Sequence, residues 1–524
     1  MNLPELAEES AARLGERREL VFEGQDYTNL QFLDESCRLR RSFAGLGLGR
    51  GEVAAVCLLN NPVVFPVFQG IFRTGAIAVP VMFTLTPHEL RHVLGDCRAR
   101  GVVTDEASIE KIREIAPEVE TLKWIVIVGG QDDPNASVPE YGLAPMLANA
   151  PDPHFPAIDP DDAALMLYTS GTTGKSKGVV LSHRNLVHAA RAAVAASELE
   201  RYDRQIVVNA LPMAHIFGLA VMNTAFLMPR RLAHSYIVQM PWFDTEPFMQ
   251  LIQTHRATTI TVVPTMLVLL LHHPKIHDYD LTSLVDVVSG AAPLSVELGQ
   301  AFARLADIGF VREIYGCTEC AGMGSSPLAS EPFRPGSAGK AYMGMELKIV
   351  DEAETPLGPE ERGEILVKGP AVMKGYLNRP EETAAALRDG WLHTGDIGYL
   401  DDEGYLYIVD RKKDMIIRAG ENIYPCELEE IFYAHAAVAE AAVVGTPDPV
   451  YGEKVVAFVV LKPGIEATEK ELLDFVKTRT AEFKAPSKIC FIEAIPKSLV
   501  GKVLKRELRE TLRAEQGTTQ QGTR

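Results

Sequence analysis

This chain of 524 residues has no excess of positive charge, no disulfide framework and no long apolar run. Its 52 Lys and Arg are outnumbered by 70 Asp and Glu, for a net charge of −18. Nucleic acid is therefore not the expected partner, since no cation surplus exists to meet its phosphates. The seven cysteines are scattered and odd in number, so they do not pair into a scaffold. Cys317 and Cys320 form a C-x-x-C, but with no second pair an incidental pair of thiols is the expectation. A reducing, cytoplasmic setting fits this cysteine usage. Met1 to Leu20 is rich in Glu and Arg and has no apolar stretch, which argues against a signal peptide. The most apolar run, Ile260 to Leu271, contains Pro264 and is too short to span a bilayer. It reads as a buried strand followed by a helix. No transmembrane segment and no internal repeat are expected.

What the chain does have is a core: 47% of its residues are apolar, enough for two to four folded units. From Glu52 onward, short apolar runs alternate with helical patterns. Val53–Leu59, Ala76–Val81, Gly101–Thr104 and Lys123–Val128 read as strands, and Val63–Arg73 as a helix. Thr86-Pro-His-Glu89 has the form of a capping box with proline at the first helical position. The rhythm resumes with strands at Ala163–Leu167, Gln205–Ala210, Thr259–Val263, Leu284–Ser289 and Phe310–Tyr315. Such alternation predicts parallel sheets faced by helices. From about Gly336 shorter strands and Gly/Pro turns take over, at Glu346–Val350, Gly363–Val367 and Gly404–Val409, as in a small β-rich subdomain. A charged segment, Asp410-Arg-Lys-Lys-Asp414, marks the expected domain boundary. Beyond it a compact pattern has helices at Pro425–Tyr433 and Lys470–Arg479 and strands at Val438–Val444 and Lys454–Leu461.

The densest chemical signal is Tyr168-Thr-Ser-Gly-Thr-Thr-Gly-Lys-Ser-Lys-Gly178. Glycines allow a tight turn with N–H groups close to an anion, and hydroxyls and two lysines add donors and charge. That is the composition of a triphosphate cradle. It is not the phosphate loop of the common nucleotide hydrolases, whose spacing needs glycine where this chain has Thr169. Downstream, Ser182 stands ready to cap a helix starting near His183.

Several later segments are bland when taken singly. Leu211-Pro-Met-Ala-His-Ile-Phe-Gly-Leu219 sets a histidine among apolar residues after a strand, ordinarily a core group bonded to backbone. Ser289-Gly-Ala-Ala-Pro293 is a strand-to-helix turn ahead of a helix near Ser295. Tyr315-Gly-Cys-Thr-Glu319 ends on a glutamate that would usually be solvated. Trp391-Leu-His-Thr-Gly-Asp396 reads as a turn with an Asp cap. Gly420-Glu-Asn-Ile-Tyr-Pro-Cys-Glu-Leu-Glu429 leads into a helix, and Pro496-Lys-Ser-Leu-Val-Gly-Lys502 ends on a lysine near the C-terminus.

Together and in this order, they resemble the signatures of the adenylate-forming superfamily: acyl-CoA synthetases, luciferases and peptide-synthetase adenylation domains. The matches run from about residue 160 to 505. Their wording from His215 to Pro293 is similar to that of fatty acyl-CoA synthetases, the AMP-dependent acid–CoA ligases. One departure is Ser176, where the family usually has proline; it alters loop stiffness more than chemistry. The implied fold class is α/β. A large N-terminal adenylation domain (1–409) holds two doubly wound α/β subdomains plus the small β-rich one. A small mobile C-terminal α+β domain (410–514) follows, then a disordered tail (515–524).

The resemblance also implies roles. Thr169, Ser170, Gly171, Thr172, Thr173, Gly174, Lys175 and Lys177 would hold the phosphates of ATP. Gly290, Ala291 and Ala292 would let the adenine lie flat, with Tyr315 and Gly316 beside it. Thr318 would contact the α-phosphate. Glu319 would repel a triphosphate unless a cation lay between, so it is the expected Mg²⁺ ligand. Asp396 and Arg411 would bind the ribose, Lys413 would be the hinge, and Gly420 would leave room for the pantetheine arm of coenzyme A. Lys502 would be the catalytic lysine of adenylation. His215, also expected in the catalytic set, would line and gate an acyl pocket formed with Phe217, Val288, Gly316 and Gly322.

The implied reaction joins a small-molecule carboxylic acid, ATP and coenzyme A through an acyl-adenylate. A medium- or long-chain fatty acid is expected, with an aryl or alicyclic acid as the nearest rival. With no carrier domain after residue 510, an acceptor held in cis is not expected, whereas a free carrier protein remains an alternative to coenzyme A. An oxidative enzyme of the luciferase kind and a non-catalytic acyl- or nucleotide-binding relative are the other readings. The expected assembly is a monomer or homodimer.

Overall fold

The computed structural model describes residues 1–521 apart from 170–175, 420, 449, 463 and 498–502, with the side chains of 514–521 outside the description. Two sheets dominate. The first has eight strands, in the order Gly375–Tyr376, Lys177–Ser182, Ala163–Thr169, Ile77–Pro80, Val53–Cys57, Gly101–Thr104, Trp124–Ile127, Glu140–Gly142. The second has seven, in the order Arg312–Glu313, Asp286–Ser289, Thr259–Val262, Ile206–Asn209, Tyr236–Gln239, Arg18–Phe22, Gln25–Thr28. Both are parallel through their centres. The central strands of the first sheet are apolar on both faces because both faces are covered. In Val53–Cys57, Ala54 and Val56 face the core shared between the two sheets, while Ala55 and Cys57 face the opposite helical layer.

The expected starts of helices hold where a capping side chain sets them. Thr86 and Ser182 each cap a helix through a reciprocal box, with Glu89 and Asn185 respectively. Ser295 caps Val296–Ala306. The apolar run from Ile260 is a strand and then a helix with Pro264 in its first turn. No helix among the described residues is long and apolar enough to cross a membrane.

The β-rich subdomain is a five-stranded antiparallel sheet built on Glu346–Val350, Gly363–Lys368 and Trp391–Leu400, with Leu406–Arg411 pairing the last of these. That final strand runs to Arg411, past the expected boundary at 409/410, because it stays in register opposite Asp396. The C-terminal domain is a second five-stranded sheet centred on Gly452–Leu461, packed with helices Pro425–Tyr433 and Glu469–Lys477. A final helix, Lys505–Gln521, ends the described backbone. The expected strand Phe310–Tyr315 shrinks to Arg312–Glu313, since Tyr315 leaves the sheet to bridge Ser325.

The N-terminal segment is tied into the centre. The helix Leu3–Leu14 docks through the Leu3 N–H, which donates to Nδ1 of His183 at 3.3 Å. Burial pushes that imidazole down to about 4. The folded value lies below the ordinary one, so this stability is complete above pH 6.5 and is lost as pH falls toward 4. In paired urea titrations, wild type should lose about 3 kcal/mol relative to His183→Gln as pH falls from 6.5 to 4, the difference isolating this imidazole from the buried carboxylates that titrate in the opposite sense.

Candidate active site

The strands on either side of the phosphate-loop segment pair antiparallel. Ala163–Thr169 pairs with Lys177–Ser182, and the last pair is Thr169 opposite Lys177. The nucleotide-hydrolase loop instead joins a parallel strand to a helix, so a different spacing here has a structural reason. Ser170 to Lys175 lie outside the described residues, as do Gly420 and Lys502. The base of the hairpin is held firmly: Tyr168 donates to Asp96 at 2.8 Å, and Arg379 pairs with the same carboxylate at 3.2 Å.

From this base a short chain of contacts leads to Glu319. The two-residue strand Gly375–Tyr376 adds to the edge of Lys177–Ser182. The ammonium of Lys177 sits 5.2 Å above the Tyr376 ring, and the Tyr376 hydroxyl donates to Oε1 of Glu319 at 3.0 Å. The Glu319 carbonyl accepts from the Met373 N–H at 2.8 Å. Glu319 and Thr318 lie in a single 3-10 turn, Thr318–Cys320. No group of three His, Cys, Asp or Glu forms a metal cage among the described residues. One partly buried carboxylate beside a hairpin with a lysine at its base suits Mg²⁺, which commonly takes one or two carboxylates and completes its shell with substrate phosphate and water. Cys317 and Cys320 hold their sulfurs 3.5 Å apart, a hydrogen-bonding distance within the turn.

A second constellation surrounds Asp396. This carboxylate is 6% exposed, accepts from the Tyr315 hydroxyl at 2.8 Å and pairs with Nε of Arg411 at 3.2 Å. Burial and the Asp396 charge push the Tyr315 phenol well above its ordinary range, so it stays a donor. Two strand neighbours, Asp396 and Arg411, therefore present one carboxylate and one guanidinium side by side. Lys413 follows directly, its ammonium pushed down by burial and by Arg411.

Between the two constellations runs the turn 315–324, and it needs glycine. A Cβ at Gly316 would lie 2.1 Å from the Gly322 carbonyl oxygen, and Gly322 itself has φ +80°. Gly316→Ala should shift this turn, lower acid-dependent turnover by on the order of tenfold and destabilise by about 1–3 kcal/mol. Parallel assays and thermal melts would show both effects. The neighbouring turn holds Ala291 at φ +69°, a left-handed conformation. At Gly290 a Cβ would lie 2.9 Å from Ile314 and 3.4 Å from the Phe217 ring. In the same turn Ala291 is exposed and Ala292 partly buried.

These turns form the mouth of a cavity of about 140 Å³. His215, Phe217, Val288, Gly316 and Gly322 all line it, as does Ala291. His215 also has a structural duty, since its Nδ1 accepts from the Phe217 N–H at 3.3 Å and caps the helix Ile216–Ala225. Three site residues went unread in the sequence. Tyr376 bears on Glu319 from a strand of only two residues, too short for any pattern. Arg17 and Glu19 line the cavity from the N-terminal segment, where charged residues read as surface.

A family model for AMP-binding enzymes matches residues 7–377, and one for the C-terminal domain of AMP-binding enzymes matches 427–502. The chain belongs to the AMP-binding enzymes. Among its relatives in that family is a long-chain-fatty-acid–CoA ligase of Bacillus subtilis (strain 168), 36% identical over 537 residues, 97% of this chain and 94% of that one. Another is 4-coumarate–CoA ligase 3 of Oryza sativa subsp. japonica, 36% identical over 525 residues, 98% and 93% of the two chains. ATP-bound MatB from Rhodopseudomonas palustris has the same fold, with a TM-score of 0.86 at 30% identity, covering 98% of this chain and 99% of that one. For this AMP-binding enzyme the domain order, large then small, agrees with the sequence expectation.

Proposed function

We propose that the protein joins a carboxylic acid to coenzyme A at the expense of ATP, through an acyl-adenylate, releasing pyrophosphate and then AMP. The chain is an AMP-forming acid–thiol ligase. The observation that supports the detailed reading is convergence. The Asp396–Arg411–Tyr315 group and the Glu319–Tyr376–Lys177 group flank one glycine turn, and that turn opens an apolar cavity.

Each part has a physical task. The acid carboxylate and the α-phosphate are both anionic, and one pair of unit charges at about 4 Å costs roughly 4 kcal/mol at an effective dielectric near 20. Lys502 would bridge the two and offset that repulsion. Asp396 accepts from the ribose hydroxyls with Arg411 beside it, which fixes the nucleotide in line for attack. The hairpin with Thr169 and Lys177 at its base holds the leaving pyrophosphate. Mg²⁺ held by Glu319 would neutralise polyphosphate charge. For the second step the C-terminal domain turns about Lys413, withdrawing Lys502 and bringing Gly420 to the thiol.

Two acids compete. A medium- or long-chain fatty acid is supported by the wording from His215 to Pro293 and by the likeness to the Bacillus ligase. The cavity favours a compact acid. Its volume of about 140 Å³ is close to the roughly 150 Å³ that holds one benzene ring. The test is pyrophosphate release from ATP and Mg²⁺ across a panel of fatty and aryl acids, with and without coenzyme A. Acid-dependent release accelerated by coenzyme A, with AMP and acyl-CoA as products, is the expected result. A slow single turnover that coenzyme A does not accelerate would point to a carrier-protein acceptor. Binding of acid without turnover would end the ligase reading.

A further inference from the structure

We infer that the acid filling this cavity carries a neutral oxygen at the end remote from its carboxylate. The inference rests on the ligase reading and concerns the cavity's closed end. Past the C-terminal ends of the second sheet's strands, the cavity is walled by Ile314, Ile216 and Phe217. Its floor lies at the opposite ends of the same strands and is polar.

Two ion pairs stand on that floor. Arg312 and Asp286 form a two-pronged pair at 2.8 and 2.7 Å, and both side chains are 4% exposed. Arg17 pairs with Glu19, again with both side chains 4% exposed, and donates to the carbonyls of Ser235 and Ala225. Thr259 sits next to Asp286 in the ladder and is itself 4% exposed. Its hydroxyl has no hydrogen-bond partner, and neither has Nε of Arg17. All five residues line the cavity.

Buried donors are nearly always paired, so an unpaired hydroxyl on a residue that lines a cavity marks a place for a ligand atom. A saturated chain tip would leave that hydroxyl unpaired and press methyl groups against two ion pairs. A second carboxylate would fare no better: Asp286 already occupies Arg312, and burial pushes Glu19 up to about 7 in spite of Arg17, so a further anion there would be costlier still. A hydroxyl, ether or carbonyl oxygen meets both conditions. It accepts from Thr259 and brings no charge. Sites built to bond a substrate oxygen discriminate strongly against the analogue lacking it, because their own groups are then left unpaired.

The test compares matched acids on the full-length enzyme by acid-dependent pyrophosphate release with ATP, Mg²⁺ and coenzyme A. The pairs are 3-(4-hydroxyphenyl)propanoate against 3-(4-methylphenyl)propanoate, and 8-hydroxyoctanoate against nonanoate, with hexadecanoate and octanedioate alongside. At least one oxygen-bearing member should exceed its methyl counterpart by about tenfold or more in kcat/KM. Thr259→Val should collapse that ratio to within about threefold, mainly by raising use of the methyl analogue, with a melting temperature equal to or above wild type. Equal use of both members, best use of hexadecanoate or octanedioate, or a ratio unchanged in Thr259→Val would overturn the inference while leaving the ligase reading intact. Absence of pyrophosphate release with every acid would overturn both.

Discussion

Replacing Lys502 with alanine should abolish acyl-adenylate formation, by on the order of a thousandfold, and leave thioester formation from supplied acyl-adenylate within a few-fold of wild type. The asymmetry follows from charge. Adenylation brings two anions together and needs a cation between them, whereas thiol attack on a mixed anhydride has no such repulsion to offset. The lysines on either side serve as controls. Lys497 is held by Glu440 at 2.6 Å and Lys505 by Glu429 at 2.9 Å, both within the C-terminal domain. Lys497→Ala should therefore retain adenylation while lowering stability slightly. Equal loss of both half-reactions in Lys502→Ala would sink the alternation of the C-terminal domain, and loss in Lys497→Ala alone would reassign the cation.

Asp396→Ala should raise the KM for ATP by about a hundredfold, with a much smaller change in the KM for the acid. Removal of this carboxylate takes away the acceptor proposed for the ribose and strands two partners at once: the buried Tyr315 hydroxyl and the Arg411 guanidinium. Leaving them unpaired should also cost about 2–3 kcal/mol of stability. Asp396→Asn keeps the shape and one acceptor oxygen, so it should lie between wild type and alanine on both measures. Titration of ATP and acid separately, with a melt of each variant, resolves the effects. A change confined to the KM for the acid would remove Asp396 from the nucleotide site.

Legibility in the sequence followed the range of the interaction. The capping box at Thr86 and the helix cap at Ser182 are read correctly because each cap meets a backbone group only three residues away. Buried parallel strands such as Gly101–Thr104 are read to the residue, since burial on both faces leaves a run with no polar break. Strand ends were read less well where the chain turns to build the site. Tyr315 leaves its sheet early, and Arg411 stays in its sheet longer than the charged run around it suggests. In both places a specific partner, Ser325 or Asp396, outweighs local pattern.

The sequence by itself determined the α/β architecture, the adenylate-forming motifs in their order, and the cluster of small residues at Gly290 and Gly316 where a Cβ would clash. These depend on local periodicity, on spacing and on the size of single residues. Only the tertiary structure decided that the strands flanking the glycine-rich segment pair antiparallel and that Tyr376 supports Glu319. It alone placed Arg17 and Glu19, residues of the first strand region, on the floor of a cavity they share with Asp286 and Arg312. Strand pairing across two hundred or more positions fixes those neighbours, as when Arg18–Phe22 joins Tyr236–Gln239. A charged residue acquires its meaning from what it is buried against, and that is set by packing between distant segments.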